Sequence, residues 1–205
     1  MTDKFKDLNG VLLAGHIKIT DPESGEVLID KRNAIHYENM SIALAESLAN
    51  AGQGPIYKMA FGNGGTSVDP TGIITYLTPN STGTNASLYN QTFNKVVDDQ
   101  ASNNTDPVRN KIETRHVSGT NYTDILVSCL LDYGEPSGQD AFDTTTNTEN
   151  LYVFDELGLI SAGASGTDGR LLTHVIFHPV QKSLNRLIQI DYTVRVQSLT
   201  GFNEV

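Results

Sequence analysis

The chain has no tryptophan, a single cysteine and few cations: Lys and Arg number 14 of 205 residues against 24 Asp and Glu, a formal net charge of −10. Each shortage argues against a class of function. A protein that tracks nucleic-acid phosphates needs a basic stripe to release counterions, so no nucleic-acid partner is expected. One thiol excludes an internal disulfide. Cys129 lies in ILVSCLL on the strand face of Ile125, Val127 and Leu131 with nothing basic flanking it, so it reads as a buried, inert thiol. Such a thiol is compatible with a reducing compartment such as the bacterial cytoplasm. Sugar sites usually expose aromatic platforms, and here tryptophan is missing while most Tyr and Phe fall in strand patterns. No apolar run reaches the roughly 18 residues of a membrane span. The opening MTDKFKDLNG lacks the apolar core of a secretory signal, so neither a membrane nor secretion is expected. There are no internal repeats and no heptads.

What is present is β patterning. Residues 187–196 alternate almost without a break: Ile188, Ile190, Tyr192, Val194 and Val196 point one way, Gln189, Asp191, Thr193 and Arg195 the other. That period marks a strand with one face in a core. Earlier strands are expected at 11–20, with Val11, Leu13, Ile17 and Ile19 on one face, and at 27–35 across the turn DPESGE. Asn39 or Ser41 is expected to cap a helix over NMSIALAESLANAG, with Met40, Leu44 and Leu48 on its stripe and Gly52 as its stop. Further strands are expected at 56–61, 111–116 and 124–132 and in the C-terminal segment, giving about seven strands and one helix. Two polar stretches interrupt them, 66–110 and 135–150. A compact domain rarely needs so long an irregular segment as 66–110, which reads as an arm lying on a neighbouring subunit or as a surface loop. The expectation is one domain over 1–205: a mainly β, antiparallel β-sandwich-like fold with one packed α-helix, an N-terminal hairpin (11–35) and long polar loops.

The chemistry-bearing residues do not assemble into a reaction. Gly62-Asn63-Gly64-Gly65 follows a strand but lacks the Lys-Ser/Thr ending of a phosphate loop, so it predicts a tight turn with positive φ. His174 and His178 share a strand face but stand roughly 13 Å apart at about 3.3 Å per residue, too far to grip one metal unless Pro179 bends the strand. Asp98-Asp99 lies in a solvated stretch with no EF-hand spacing. Asp155-Glu156, between Phe154 and Leu157, fits a structural hydrogen bond. The Asn-x-Ser/Thr sequons carry no meaning in a chain so rich in Asn and Thr. No catalytic, cofactor-binding or metal-ligating residue is therefore expected, and no cofactor.

The order of the pieces resembles the baseplate-attaching N-terminal domain of phage tail-collar fibre proteins and related small virion proteins. There a helix leads to a strand ending in an A-apolar-G-D-G-G pattern. Here NMSIALAESLANAG precedes PIYKMAFGNGG, with Asn63 where the family often has Asp. A later strand of that family carries an acid-apolar-Gly-Leu pattern and is followed by a Gly-containing turn and another strand. Here these are VFDELGLIS, GTDG and RLLTHVIFHPV, so the likeness spans about residues 35–180. The chain departs from the family in its extra hairpin (11–35) and in ending without a repetitive fibre shaft. The resemblance implies a non-enzymatic, multi-copy virion structural protein of a tailed bacteriophage, an adaptor or ring component of the tail, baseplate or neck. Its partners would be copies of itself and other virion proteins, assembled in the host cytoplasm. The alternatives are a capsid decoration protein and a carbohydrate-binding adhesive β-sandwich. A hydrolase is disfavoured by the lack of any nucleophile–base constellation.

Overall fold

Period-two alternation produces one long hairpin at the start of the chain. In the computed structural model, which describes residues 10–136 and 151–199, β1 (Gly10–Thr20) turns into β2 (Val27–Ile35). Asp21 closes the turn: its carboxylate accepts from the N–H groups of Glu23 (3.0 Å) and Ser24 (3.2 Å), while Gly25 takes the left-handed φ of 74°. Ile17 and Ile19 face the core. Val11, expected on that same face, is exposed near the start of β1.

The helix α1 spans Tyr37–Leu48 and begins earlier than the sequence suggests. Its cap is His36, whose Nδ1 accepts the N–H of Asn39 at 3.2 Å, the role ordinarily filled by a Ser, Thr, Asn or Asp oxygen. Asn39, expected as a cap, instead lies in the first turn with its side chain buried and donating to the Leu171 carbonyl at 3.0 Å. Ser41 bonds back to the Glu38 carbonyl. The stop is Asn50 rather than Gly52: it adopts φ 51°, while Asn50 N donates to Ser47 O and Ala51 N to Glu46 O, a Schellman ending. Met40 and Ala43 are buried, but Leu48 is 88% exposed, beyond the reach of the sheet below.

The remaining strands are β3 (Ile56–Gly62), β4 (Thr66–Val68), β5 (Ile74–Tyr76), β6 (Gln91–Val96), β7 (Lys111–His116), β8 (Tyr122–Leu131), β9 (Leu151–Ala162), β10 (Asp168–Leu171), β11 (Thr173–Ser183) and β12 (Ile188–Leu199). Ten of them form one antiparallel sheet in the order β6-β3-β9-β11-β2-β1-β12-β8-β7, with β10 beside β9, and β4 and β5 pair apart as a small hairpin. β11 meets β2 through only two residue pairs, Thr173 with Ile35 and His174 with Ala34, before running on beside β9. The sheet curls there, so Phe61, Phe154 and Phe177 from one half pack in one core with Ile17, Val127 and Tyr192 from the other. The mainly β, sandwich-like architecture with one helix is the expected one.

Among the described residues there are twelve strands where the pattern predicts about seven. The short strands that the pattern does not signal, β4, β5, β6 and β10, are three to six residues long, so alternation has too few repeats to show. The stretch 66–110 consequently holds three strands, with Leu88 and Val97 buried. The second polar stretch lies, from residue 137 to 150, outside the described residues. No helix among the described residues is long and apolar enough to cross a membrane.

Candidate functional site

Two neighbouring acids on β9, the central strand of its half-sheet, organise the most polar part of the interior. Glu156 is fully buried. Its Oε1 accepts the N–H groups of Asn90 (2.8 Å) and Gly64 (3.1 Å), and its Oε2 accepts Tyr89 N–H (2.9 Å) and His174 Nε2 (2.9 Å). Asp155 accepts the N–H groups of Gly65 and Thr66, both at 2.9 Å, and the Thr66 hydroxyl. Three consecutive N–H groups, from Gly64 to Thr66, thus all donate to the protein's own carboxylates, Gly64 to Glu156 and the other two to Asp155, which leaves none of the three for a phosphate.

The same packing explains the glycines, and corrects the expected positive-φ turn. Gly62, Gly64 and Gly65 are not in the left-handed region. They are small because something lies against them: a Cβ on Gly62 would stand 2.4 Å from Glu156 Oε1, and one on Gly64 2.8 Å from Asn90 N. Gly158 is squeezed likewise, with Leu171 and the Thr173 carbonyl at 2.6 Å from its would-be Cβ.

His174 completes the network. Its Nδ1 accepts Asn80 N–H at 2.8 Å, so Nε2 carries the proton given to Glu156. His178, four residues on, is exposed and bonds to the Tyr76 hydroxyl at 3.3 Å. The register of β11 against β9 slips between Ile176 and Val180, and the resulting bulge at Pro179 aims His178 away from the buried side. The two histidines therefore serve different places. Asp98-Asp99 stays near the surface, Asp98 capping a turn through Gln100 N–H at 2.9 Å. Among the described residues, no group of three or more His, Cys, Asp or Glu is arranged to hold a metal ion.

Burial raises the cost of charge on both acids, yet they shift in opposite directions. For Asp155 burial dominates and pushes its carboxyl up, with the Thr66 hydroxyl and the Gly65 and Thr66 N–H groups opposing it. For Glu156 burial also pushes up, but the hydrogen bonds from His174, Asn90, Tyr89 and Gly64 together outweigh it and hold the carboxyl below its ordinary value. A pair split in this way can serve acid–base catalysis when it faces a substrate. Here the acceptor positions point into the chain's own backbone. Cys129 is buried, and desolvation pushes its thiol up to about 12, the state of an inert thiol.

What the network holds in place is the β4–β5 hairpin. Asp69 caps its turn, accepting Thr71 N–H (2.8 Å) and Ile73 N–H (3.0 Å), and Leu77 N–H bonds to Gly65 O at 2.9 Å. The hairpin exposes Val68, Ile73, Tyr76 and Leu77, with Tyr89 alongside. Elsewhere, an apolar groove of about 320 Å³ opens between α1 and the sheet, walled by Met40 and Leu44 on the helix and by Leu13, Ile112, Ile125 and Val196 on the strands. The Glu156–His174 pairing was legible only in part: each follows another polar residue, Asp155 or Thr173, inside an otherwise apolar run, VFDELGLI and LLTHVIF, which signals a partner but not its identity. No protein-family model, curated protein or solved structure matches the chain.

Proposed function

We propose that this chain is a non-enzymatic structural protein of a tailed-bacteriophage virion, present in several copies as an adaptor or ring component of the tail, baseplate or neck. It acts through its subunit contacts, with copies of itself and other virion proteins as partners, and is assembled in the host cytoplasm. The observation that carries the reading is the use made of its buried acids. Asp155 and Glu156 accept seven hydrogen bonds between them, six from residues 64–66 and 89–90 and one from His174. Those bonds fasten an outlying hairpin whose apolar side chains face outward. Firmly held, exposed apolar side chains suit docking to another protein surface. The order of the helix, AFGNGG and DELGLI motifs supports the phage setting.

Mass spectrometry of purified particles, with antibody labelling imaged by electron microscopy, tests this. The protein is expected in intact virions, with label at the tail or neck. Label over the whole head would favour a capsid decoration protein, and absence from washed particles would sink the reading. A carbohydrate-binding role has one observation of its own: Tyr37, Tyr76, Tyr89 and Tyr133 are exposed despite the lack of tryptophan. Selective binding on a glycan array would establish it.

A further inference from the structure

At one end of the large sheet, β7 has a backbone edge with which no described strand pairs. At the other end, β6 faces Asn103, Asn104 and Glu135 across a cleft of about 310 Å³. In an antiparallel ladder the N–H and C=O of one residue point to the same side, and the side alternates along the strand. Leu130 N donates at 2.9 Å to the side chain of Asn110, just before β7, while Asn121 O, just before β8, accepts Ser198 N at 2.8 Å on the β12 side. The even-numbered residues of β8 therefore bond toward β7, where Asp124, Leu126 and Ser128 stand opposite Arg115, Glu113 and Lys111. The N–H and C=O groups of Ile112, Thr114 and His116 consequently point outward, and no described residue bonds to them. An unpaired edge of this kind is a template for another strand.

Charge fits a second copy of the same strand. Lys111, Glu113 and Arg115 share the face of β7 turned away from the groove that Ile112 and Thr114 line. Lys111 bonds to Glu113 at 2.9 Å. Arg195 holds both carboxylate oxygens of Asp124, at 2.7 and 2.8 Å, so the exposed Arg115 has no ion pair among the described residues. Antiparallel pairing about a two-fold axis at Thr114 sets Arg115 of each copy against Glu113 of the other. These are the non-hydrogen-bonded positions, where Cα atoms come within roughly 4.5 Å and side chains are closest. The same axis joins Thr114 to its counterpart and Ile112 to His116 through the outward groups. An axis at Glu113 instead sets Glu113 against itself and Lys111 against Arg115. One at Ile112 sets Thr114 against Asn110, whose N–H already donates to Asp106 O (2.9 Å) and whose carbonyl accepts Asn104 Nδ2 (2.8 Å). One at His116 runs past the end of the strand.

We propose that two copies of this chain join edge to edge through β7, antiparallel about a two-fold axis at Thr114, with Glu113 of each against Arg115 of the other. The same patch serves both copies, so the contact is isologous and closes as a dimer. The inference rests on the assembly role proposed above, and names one contact that would perform it.

Sedimentation of the full chain over a concentration series, with hydrogen exchange of the β7 amides, tests it. The wild type is expected to pass from monomer to dimer as concentration rises, while exchange at Ile112, Thr114 and His116 slows over the same range. Glu113→Lys sets cation against cation across the axis, and Arg115→Glu sets acid against acid. Each is expected to raise the dissociation constant roughly tenfold or more. Their thermal melts should match the wild type, since both positions are exposed. An equimolar mixture of the two variants is expected to dimerise as the wild type does, because each copy then meets opposite charge at both positions. Thr114→Pro removes an N–H that points only outward and should abolish the dimer; if it lowers the melt, the charge variants still decide. A wild type that stays monomeric, a dimer whose three outward amides exchange freely, variants that associate normally, or a mixture no tighter than either variant alone each overturns the contact. If the wild type stays monomeric yet occurs in virions, only the contact fails. If it dimerises as described yet is missing from virions, the virion assignment fails and the contact stands.

Discussion

Gly62 is fixed by what lies opposite it. With Glu156 Oε1 and Asn90 O within 2.5 Å of a would-be Cβ, Gly62→Ala forces the carboxylate or the 89–90 backbone to shift. A loss of about 1–3 kcal/mol is expected in denaturant unfolding, in line with overpacking at a well-packed site. Gly72→Ala, where φ is 87° and nothing lies within 4 Å, isolates the backbone contribution and should lose less. Equal losses would contradict the close-approach account. Glu156 and Asp155 also differ in how they respond to acid. The folded state holds the Glu156 carboxyl below its ordinary 4.5, so its contribution is complete above that value and is lost as pH falls through the lower folded one. Asp155 is raised, so protonation relieves its burial and acid does not destabilise the fold through it. Glu156→Gln, which turns an amide N–H toward backbone donors, is expected to cost about 3 kcal/mol or more at neutral pH and to flatten the acid limb of the stability curve. Asp155→Asn should keep that limb. Urea melts between pH 2.5 and 7 decide; a limb unchanged by Glu156→Gln would show that another carboxylate dominates.

At the scale of elements, the polar segment 66–110 is better built than its composition suggests. Tyr89 and Asn90 donate to Glu156, Leu88 is buried, and β6 pairs with β3 from Val96 to Gln91. Removing residues 81–90 therefore takes away two of the four bonds to a buried carboxylate and a core side chain. A deletion of this segment is expected to lower the melting temperature clearly, where a simple surface loop would leave it unchanged. Helix α1 is tied to the same segment, since His36 both caps it and meets Gly83 O at 3.0 Å through Nε2. His36→Ala should lose about 1 kcal/mol from the cap alone, and the same melts report it.

Across the whole molecule, the second half of the sheet is closed by a buried cation. Lys182 donates to the carbonyls of Asp132 (2.9 Å), Glu135 (2.8 Å) and Ser183 (2.8 Å), and burial lowers its ammonium from 10.5 to about 8. In the window between those values the unfolded chain binds a proton that the folded chain does not, so this group makes stability rise with pH there. Lys182→Met should remove that rise while leaving three carbonyls without their donor. Denaturant unfolding at pH 7.5 and 10 separates the two effects, and an unchanged slope would rule out Lys182 as its source.

Much of this architecture follows from local pattern. The alternation of Ile188, Ile190, Tyr192 and Val194 puts one face of β12 in the core wherever that strand pairs, and DPESGE makes β1 and β2 a hairpin through Asp21 and Gly25. Composition alone fixes the single thiol and the acidic surface. Other features were decided only in three dimensions. The cap passed from Asn39 to His36 because Asn39 found the Leu171 carbonyl, a partner 132 positions away. The loop glycines were set by two acids on β9 and not by their own dihedral preferences. The polar arm folded because Glu156 and His174, buried in otherwise apolar runs, required donors and acceptors beyond each other, and residues 64–90 brought them. Period and composition act over a few residues, whereas a buried polar group is satisfied by whatever the tertiary fold places within about 3 Å.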